Sequence, residues 1–274
     1  MAGRLIQTAI SQNAIPMLRQ LAQVVYPARC LSCGDMVEPM AELSAGLCPP
    51  CWREVAFAGG LTCDACGVPL LGQSDRVELC DDCLSHPRPW SQGRAPLLYE
   101  GKGRHLVMAL KHGDRLDIAP VAAAWMARVG ADLIQPDTLI APVPLHWQRR
   151  IARRYNQAAL LAWGVAKRLN RPCCPDLIQR HRATPSTRGQ GRAARLTQMQ
   201  GAFRIHPKRA HLLQGRPVLL VDDVMTTGAT LAAVAETCKD GGATHLSVLL
   251  LARAHKGSYI GKIEDTDQDT TEDT

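Results

Sequence analysis

The 274-residue chain contains no apolar run approaching the roughly 20 residues that a membrane-spanning helix requires. Near the N-terminus, Arg4 is followed by Gln7, Thr8, Ser11, Gln12 and Asn13, which interrupt anything resembling a secretory h-region. The expected location is therefore the cytoplasm, without membrane insertion. No G-x-x-x-x-G-K-S/T loop occurs, which removes the P-loop nucleotide-binding class. Tyrosine and phenylalanine are scarce, at four and two, which counts against a broad platform for stacking bases. Acids nearly vanish between Trp147 and Arg216, where Asp176 stands alone against sixteen Lys and Arg. A run of one sign concentrates an anionic partner such as a polyphosphate or a nucleic acid, although a solvated surface has the same composition. The net charge of +7 understates this bias: Glu264 to Thr274 holds six acids and no base, so residues 1–263 carry +13.

The most informative stretch is Val218 to Thr230, VLLVDDVMTTGAT. Val218 to Val221 read as a short strand buried on both faces. Asp222 and Asp223 follow, then the turn Thr226-Thr227-Gly228-Ala229-Thr230, which opens a helical pattern from Leu231 to about Lys239. Successive backbone N–H groups, a glycine able to take positive φ and the partial positive charge of a helix N-terminus make such a turn a phosphate site. Two carboxylates repel phosphate, so they need a polyol or a metal ion beside it. A ribose carrying a 5′-phosphate meets both requirements.

This stretch resembles the signature of the type I phosphoribosyltransferases, which bind phosphoribosyl pyrophosphate (PRPP): an apolar run, an acidic pair, two spacers and S/T-x-G-x-S/T. The resemblance implies that Val221, Asp222, Asp223, Val224, Met225, Thr226, Thr227, Gly228, Ala229 and Thr230 bind PRPP. Asp222 and Asp223 would hold the ribose hydroxyls, Met225 to Thr230 the 5′-phosphate, and Mg²⁺ would bridge pyrophosphate and ribose oxygens.

Eight of the eleven cysteines form four C-x-x-C pairs: Cys30/Cys33, Cys48/Cys51, Cys63/Cys66 and Cys80/Cys83. Two such knuckles complete a tetrahedral Cys₄ site. The intervals nearly repeat, and Gly34 and Gly67 each follow the second cysteine of a knuckle, so the pattern is an internal duplication. The expected arrangement is one structural Zn²⁺ on Cys30, Cys33, Cys48 and Cys51 and a second on Cys63, Cys66, Cys80 and Cys83, with crossed pairing or disulfides as alternatives. The segment resembles a double zinc ribbon. Cys173, Cys174 and Cys238 are left over, and Cys238 reads as core.

The rest of the chain alternates strand and helix. Leu97 to Tyr99, Thr138 to Val143 and Thr244 to Leu251 read as strands. Arg104 to Lys111, Ile118 to Val129 and Tyr155 to Leu169 read as helices, the last with Trp163 on its apolar side. Pro87, Pro89, Gly93 and Pro96 make His86 to Pro96 read as a linker. The fold expected is α/β, a phosphoribosyltransferase-like, mainly parallel sheet with helices on both faces, preceded by a small double zinc-ribbon domain. The domain reading is an N-terminal helical segment over 1–25, the ribbons over 26–90, the sheet domain over 91–258 and an acidic disordered tail over 259–274.

Ala141 to Ala162 repeats strand, turn and helix, with the turn surrounded by arginines. It resembles the P-V-P-L-x-x-x-R-x-x-x-R-x-F/Y-N-Q-A/S segment of the ComF family, whose members join a zinc ribbon to a phosphoribosyltransferase-like domain. The resemblance covers about residues 26 to 255. It implies that Pro144, Leu145, His146, Arg149, Arg150 and Arg153 bind pyrophosphate, and that Lys111 stands where the family tends to keep a catalytic Lys, with a salt bridge as the plainer alternative. Arg180 to Phe203 is similar to the family's mobile loop and closing strand, but has Thr187 for Gln and Gln198 for Asn; Arg154 stands for the usual Gly. The activity implied is PRPP-dependent transfer to a nitrogen acceptor. The competing reading is a competence factor that binds single-stranded DNA beside DNA-uptake helicase machinery, without turnover.

Overall fold

The structure is a computed structural model that describes residues 27–37, 46–113, 115–145, 155–182 and 197–254. The expected N-terminal helix, the segment holding His146, Arg149, Arg150 and Arg153, the loop at 183–196 and the acidic tail lie outside the described residues. The strands are β1 (Gln92–Arg94), β2 (Leu97–Leu98), β3 (Leu139–Pro142), β4 (Ile178–Arg180), β5 (Phe203–Ile205), β6 (Pro217–Met225) and β7 (His245–Arg253). The helices are α1 (Pro49–Glu54), α2 (Asp81–Ser85), α3 (Gly101–His112), α4 (Ile118–Val129), α5 (Gln157–Leu169) and α6 (Ala229–Asp240).

Five strands form one parallel sheet in the order β1-β7-β6-β3, with β2 paired to the far end of β7. Register runs Leu139↔Val218 between β3 and β6, and Val218↔Leu246 through Met225↔Arg253 between β6 and β7. β4 and β5 form a separate antiparallel pair. The sheet is buried on both faces because its strand centres, Val218–Val221 of β6 and Val248–Ala252 of β7, are apolar at every position, as the parallel arrangement requires. Alternation along β6 sends Val218 and Leu220 to the face covered by α6, and Leu219 and Val221 to the face covered by α3, α4 and α5. The α4–α5 contact is tight: a Cβ on Gly164 would lie 2.5 Å from Ala123 Cβ.

The two cysteine clusters do not stand apart from this sheet. Cys63, Cys66 and Cys83 share a core with Leu220, Val248 and the α6 side chains, whereas Cys30 and Cys51 share the core on the opposite face with Leu106, Trp125 and Leu249.

Three expectations are corrected. The stretch read as a linker, His86 to Pro96, contains β1 and the buried Trp90. Its Gly93 is required by contact, since a Cβ there would sit 2.5 Å from the Ala65 carbonyl oxygen. The strand read as Val218–Val221 runs on to Met225, because β7 continues beside it as a partner. Trp163 is 61% exposed, because the buried stripe of α5 is Ala158, Leu161, Ala162, Val165 and Ala166.

Candidate functional site

The cysteines assemble as the uncrossed sets. The thiols of Cys30, Cys33, Cys48 and Cys51 all lie within 4.8 Å of one another, as do those of Cys63, Cys66, Cys80 and Cys83. All eleven cysteines are unbridged. Cys33 and Cys48 Sγ are 3.7 Å apart, and so are Cys66 and Cys80 Sγ. That is the edge of a tetrahedron with metal–sulfur bonds of about 2.3 Å, so the thiols fit Zn²⁺. The duplication is geometric as well: Cys30 N–H donates to the Asp35 carbonyl as Cys63 N–H does to Val68, each at 2.7 Å. Lys102 Nζ donates to Cys51 Sγ at 3.0 Å, and this bond holds the Cys51 thiol below its ordinary pKa.

β6 ends at Met225, and the chain turns through Gly228 into α6. Gly228 is the helix N-cap at φ +79°, a left-handed conformation that glycine adopts without steric cost. Asp222 lines a small cleft of about 80 Å³ together with Met199 and the turn from Thr226 to Thr230. Burial, then the neighbouring charge of Asp223, push the Asp222 carboxyl up to about 8, against the opposing pull of the Asp223 amide and Lys111. The Asp223 N–H donates to Asp222 Oδ1 at 2.8 Å.

Asp223 faces the other side of the sheet. Its Oδ1 accepts from Lys111 Nζ at 2.9 Å, with both side chains less than one-fifth exposed. Lys111 sits in the last turn of α3, which is fixed from α5: Tyr155 Oη donates to the Leu110 carbonyl at 3.0 Å and Gln157 Nε2 to the Lys111 carbonyl at 3.2 Å. Asn156 caps α5, accepting from Ala158 N–H at 3.1 Å. The Tyr155-Asn156-Gln157 run thus starts one helix and holds the end of another.

At the exit of β3, Pro144 and Leu145 line a second cleft of about 420 Å³ with Asn156, Asp176, Gln179, Arg180, His181 and Arg204. Within it Asp176 pairs with Arg209 at 3.1 Å and Arg204 donates to Gln179 Oε1 at 3.1 Å.

Residues 21–84 match the double zinc ribbon domain and residues 156–273 the phosphoribosyl transferase domain. The DNA utilization protein YhgH of Salmonella typhimurium is 33% identical over 237 residues, which span 84% of this chain and 99% of that protein. Competence protein F of Haemophilus influenzae is 27% identical over 232 residues, spanning 82% and 97%. This chain belongs to the ComF family. A solved structure, TT1426 from Thermus thermophilus, overlaps 52% of the chain and 86% of its own at 17% identity and a TM-score of 0.33, too loose a superposition to bear on the site.

In this ComF-family chain the structure brings Asp222, the turn and Lys111–Asp223 to the carboxyl end of β6, and Pro144 and Leu145 to the carboxyl end of β3. Two residues escaped the sequence reading. Arg88 Nη1 donates to the Thr227 carbonyl at 2.9 Å, and Arg253 Nη1 to the carbonyls of Met225 and Thr226 at 3.1 and 2.8 Å. Arg253 carried a signal, an arginine closing the apolar run SVLLLA; Arg88, among prolines, carried none.

Proposed function

We propose that this chain binds PRPP at the carboxyl end of β6 and transfers the phosphoribosyl group to a nitrogen acceptor. The observation that carries the reading is the shared cleft: Asp222 lines it beside the Thr226–Thr230 turn, a ribose acceptor next to a phosphate cradle. The α6 N-terminus and the turn amides hold the 5′-phosphate. Asp222 accepts from a ribose hydroxyl and offsets the positive charge that develops as pyrophosphate leaves C1. Lys111 neutralises Asp223 and fixes its orientation, leaving the ribose a single charged neighbour in Asp222. Pro144, Leu145, His146, Arg149, Arg150 and Arg153 receive the leaving pyrophosphate. The carboxylates are hard oxygen donors that suit Mg²⁺, which when bound neutralises pyrophosphate. The two Cys₄ centres, with no ligand position left open, serve structure.

A second reading has support of its own. Two relatives are named for DNA utilization and competence, and sixteen bases against one acid between Trp147 and Arg216 suit a phosphate backbone. In that reading the partner is single-stranded DNA and the DNA-uptake helicase machinery. Release of pyrophosphate from PRPP, followed across a panel of nitrogen acceptors, tests the first reading. Saturable binding of Mg·PRPP with pyrophosphate release supports transfer; DNA binding with no response to PRPP sinks it.

A further inference from the structure

Two buried cations stand directly behind the phosphate turn. The Arg88 side chain is 2% exposed and Arg253 is 4% exposed. Together they occupy three successive carbonyls, those of Met225, Thr226 and Thr227. A guanidinium held out of water needs opposite charge nearby. Arg88 pairs with Asp82, whose side chain is 44% exposed, and its Nε donates to Cys83 Sγ at 3.4 Å. Among the described residues Arg253 pairs with no carboxylate and its Nε has no partner. The Arg88 guanidinium stacks over Trp90, whose Nε1 donates to the Ala65 carbonyl between Cys63 and Cys66. Four thiolates around one dication would leave a net negative charge; Arg88 Nε lies 3.4 Å from Cys83 Sγ, and the charge of Arg253 acts on the Cys66 thiol. Among the described residues the other cluster has no such route to the turn: Lys102, which donates to Cys51, lies on the first turn of α3 beside Glu54, and Arg115, near Cys30, pairs with Asp117.

We propose that the Cys63–Cys66–Cys80–Cys83 centre is the counter-charge that keeps Arg88 and Arg253 behind the turn, and that these arginines are positioning residues for a phosphoribosyl ligand. The inference rests on the PRPP reading for its ligand, but the state of the turn is measurable without one. With its carbonyls tied down on one side, the turn keeps one backbone conformation before any phosphate arrives, and the ordering cost of binding is reduced. The guanidinium fork is what allows Arg88 to reach Thr227 and Cys83 together; an ammonium makes a point contact only.

Two variants, Arg88→Met and Arg88→Lys, test it by zinc analysis, hydrogen exchange and calorimetry with Mg·PRPP. Both are expected to keep two zinc ions per chain. The amides of residues 225–230 should exchange at least tenfold faster while those of β3 keep the parent rate. Mg·PRPP affinity should fall by roughly tenfold, within the range usual for coupled sites. Unchanged exchange and unchanged affinity in both variants overturn the inference. If Arg88→Met fails to fold, Arg88→Lys, which keeps the charge beside Cys83, decides alone. If the parent itself does not bind Mg·PRPP, the functional reading fails, and the exchange rates still decide whether Arg88 holds the turn.

Discussion

Because successive side chains on a strand face opposite ways, Asp222 and Asp223 take different tasks. Asp222 lines the turn cleft, and its carboxyl is raised to about 8 by burial and by Asp223. The folded value lies above the ordinary carboxylate value of about 3.9. The stability Asp222 contributes is therefore fully present below that ordinary value and is lost as pH rises through about 8. The melting temperature of the ligand-free parent should thus fall relative to Asp222→Asn between pH 4 and 8; parallel curves would refute the assignment. Binding a ribose and a cation favours the carboxylate, so Mg·PRPP binding at pH 7 should release a proton, measurable by calorimetry in buffers of different ionisation enthalpy. Asp223 instead has a partner. Lys111→Met would strand it, at a cost of roughly 3 kcal/mol for a broken, mostly buried pair. Adding Asp223→Asn should restore part of the loss in a chemical denaturation cycle, and additive losses would mean that the pair is not coupled.

The strand–turn–helix element joins these residues to the phosphate cradle, and Gly228 is its hinge point. Gly228→Ala places a side chain at φ +79°, at about 1–2 kcal/mol for the left-handed region, with its Cβ 3.1 Å from Arg88 Nη1 and 3.2 Å from Met225 Sδ. A loss of stability in that range, with weaker Mg·PRPP binding, is the expected result by denaturation and titration; full retention of affinity would show that the turn does not need its conformation. Much of this element was legible in the chain. VLLV, the acid pair and the T-x-G-x-T spacing gave the body of the strand, the acids and the presence of the helix, which begins at Ala229 rather than Leu231, and the 3.6-residue period gave Ile118–Val129 to the residue. The end of β6 was not legible, since two carboxylates read as a strand exit and only the neighbouring β7 keeps them in register. β1 was hidden because three residues, QGR, carry no alternation and lie between prolines. The exposure of Trp163 was misread because apolarity alone does not say which side of a helix is left without a partner.

Across the molecule, the ribbons and the sheet share two cores, one on each face. Zinc contributes ~10 kcal/mol or more per structural site in small domains. The reading of the ribbons as a separate small domain implies that chelation melts them first. The shared cores predict instead one cooperative loss of structure, seen as a single calorimetric transition at lower temperature; two resolved transitions would show independent units. The basic region is tested separately: replacing Arg149, Arg150 and Arg153 together should weaken single-stranded DNA binding and flatten its salt dependence, and an unchanged slope would mark a merely solvated face. The claim on which the account turns is that Asp222 and the Thr226–Thr230 turn form one phosphoribosyl site. Its most direct test is calorimetric titration of the parent and of Asp222→Asn with Mg·PRPP and, in parallel, with inorganic phosphate. The account predicts saturable one-to-one binding of Mg·PRPP by the parent, at least tenfold weaker binding by the variant, and phosphate bound by the variant as well as before or better; equal Mg·PRPP affinity in both proteins would contradict it.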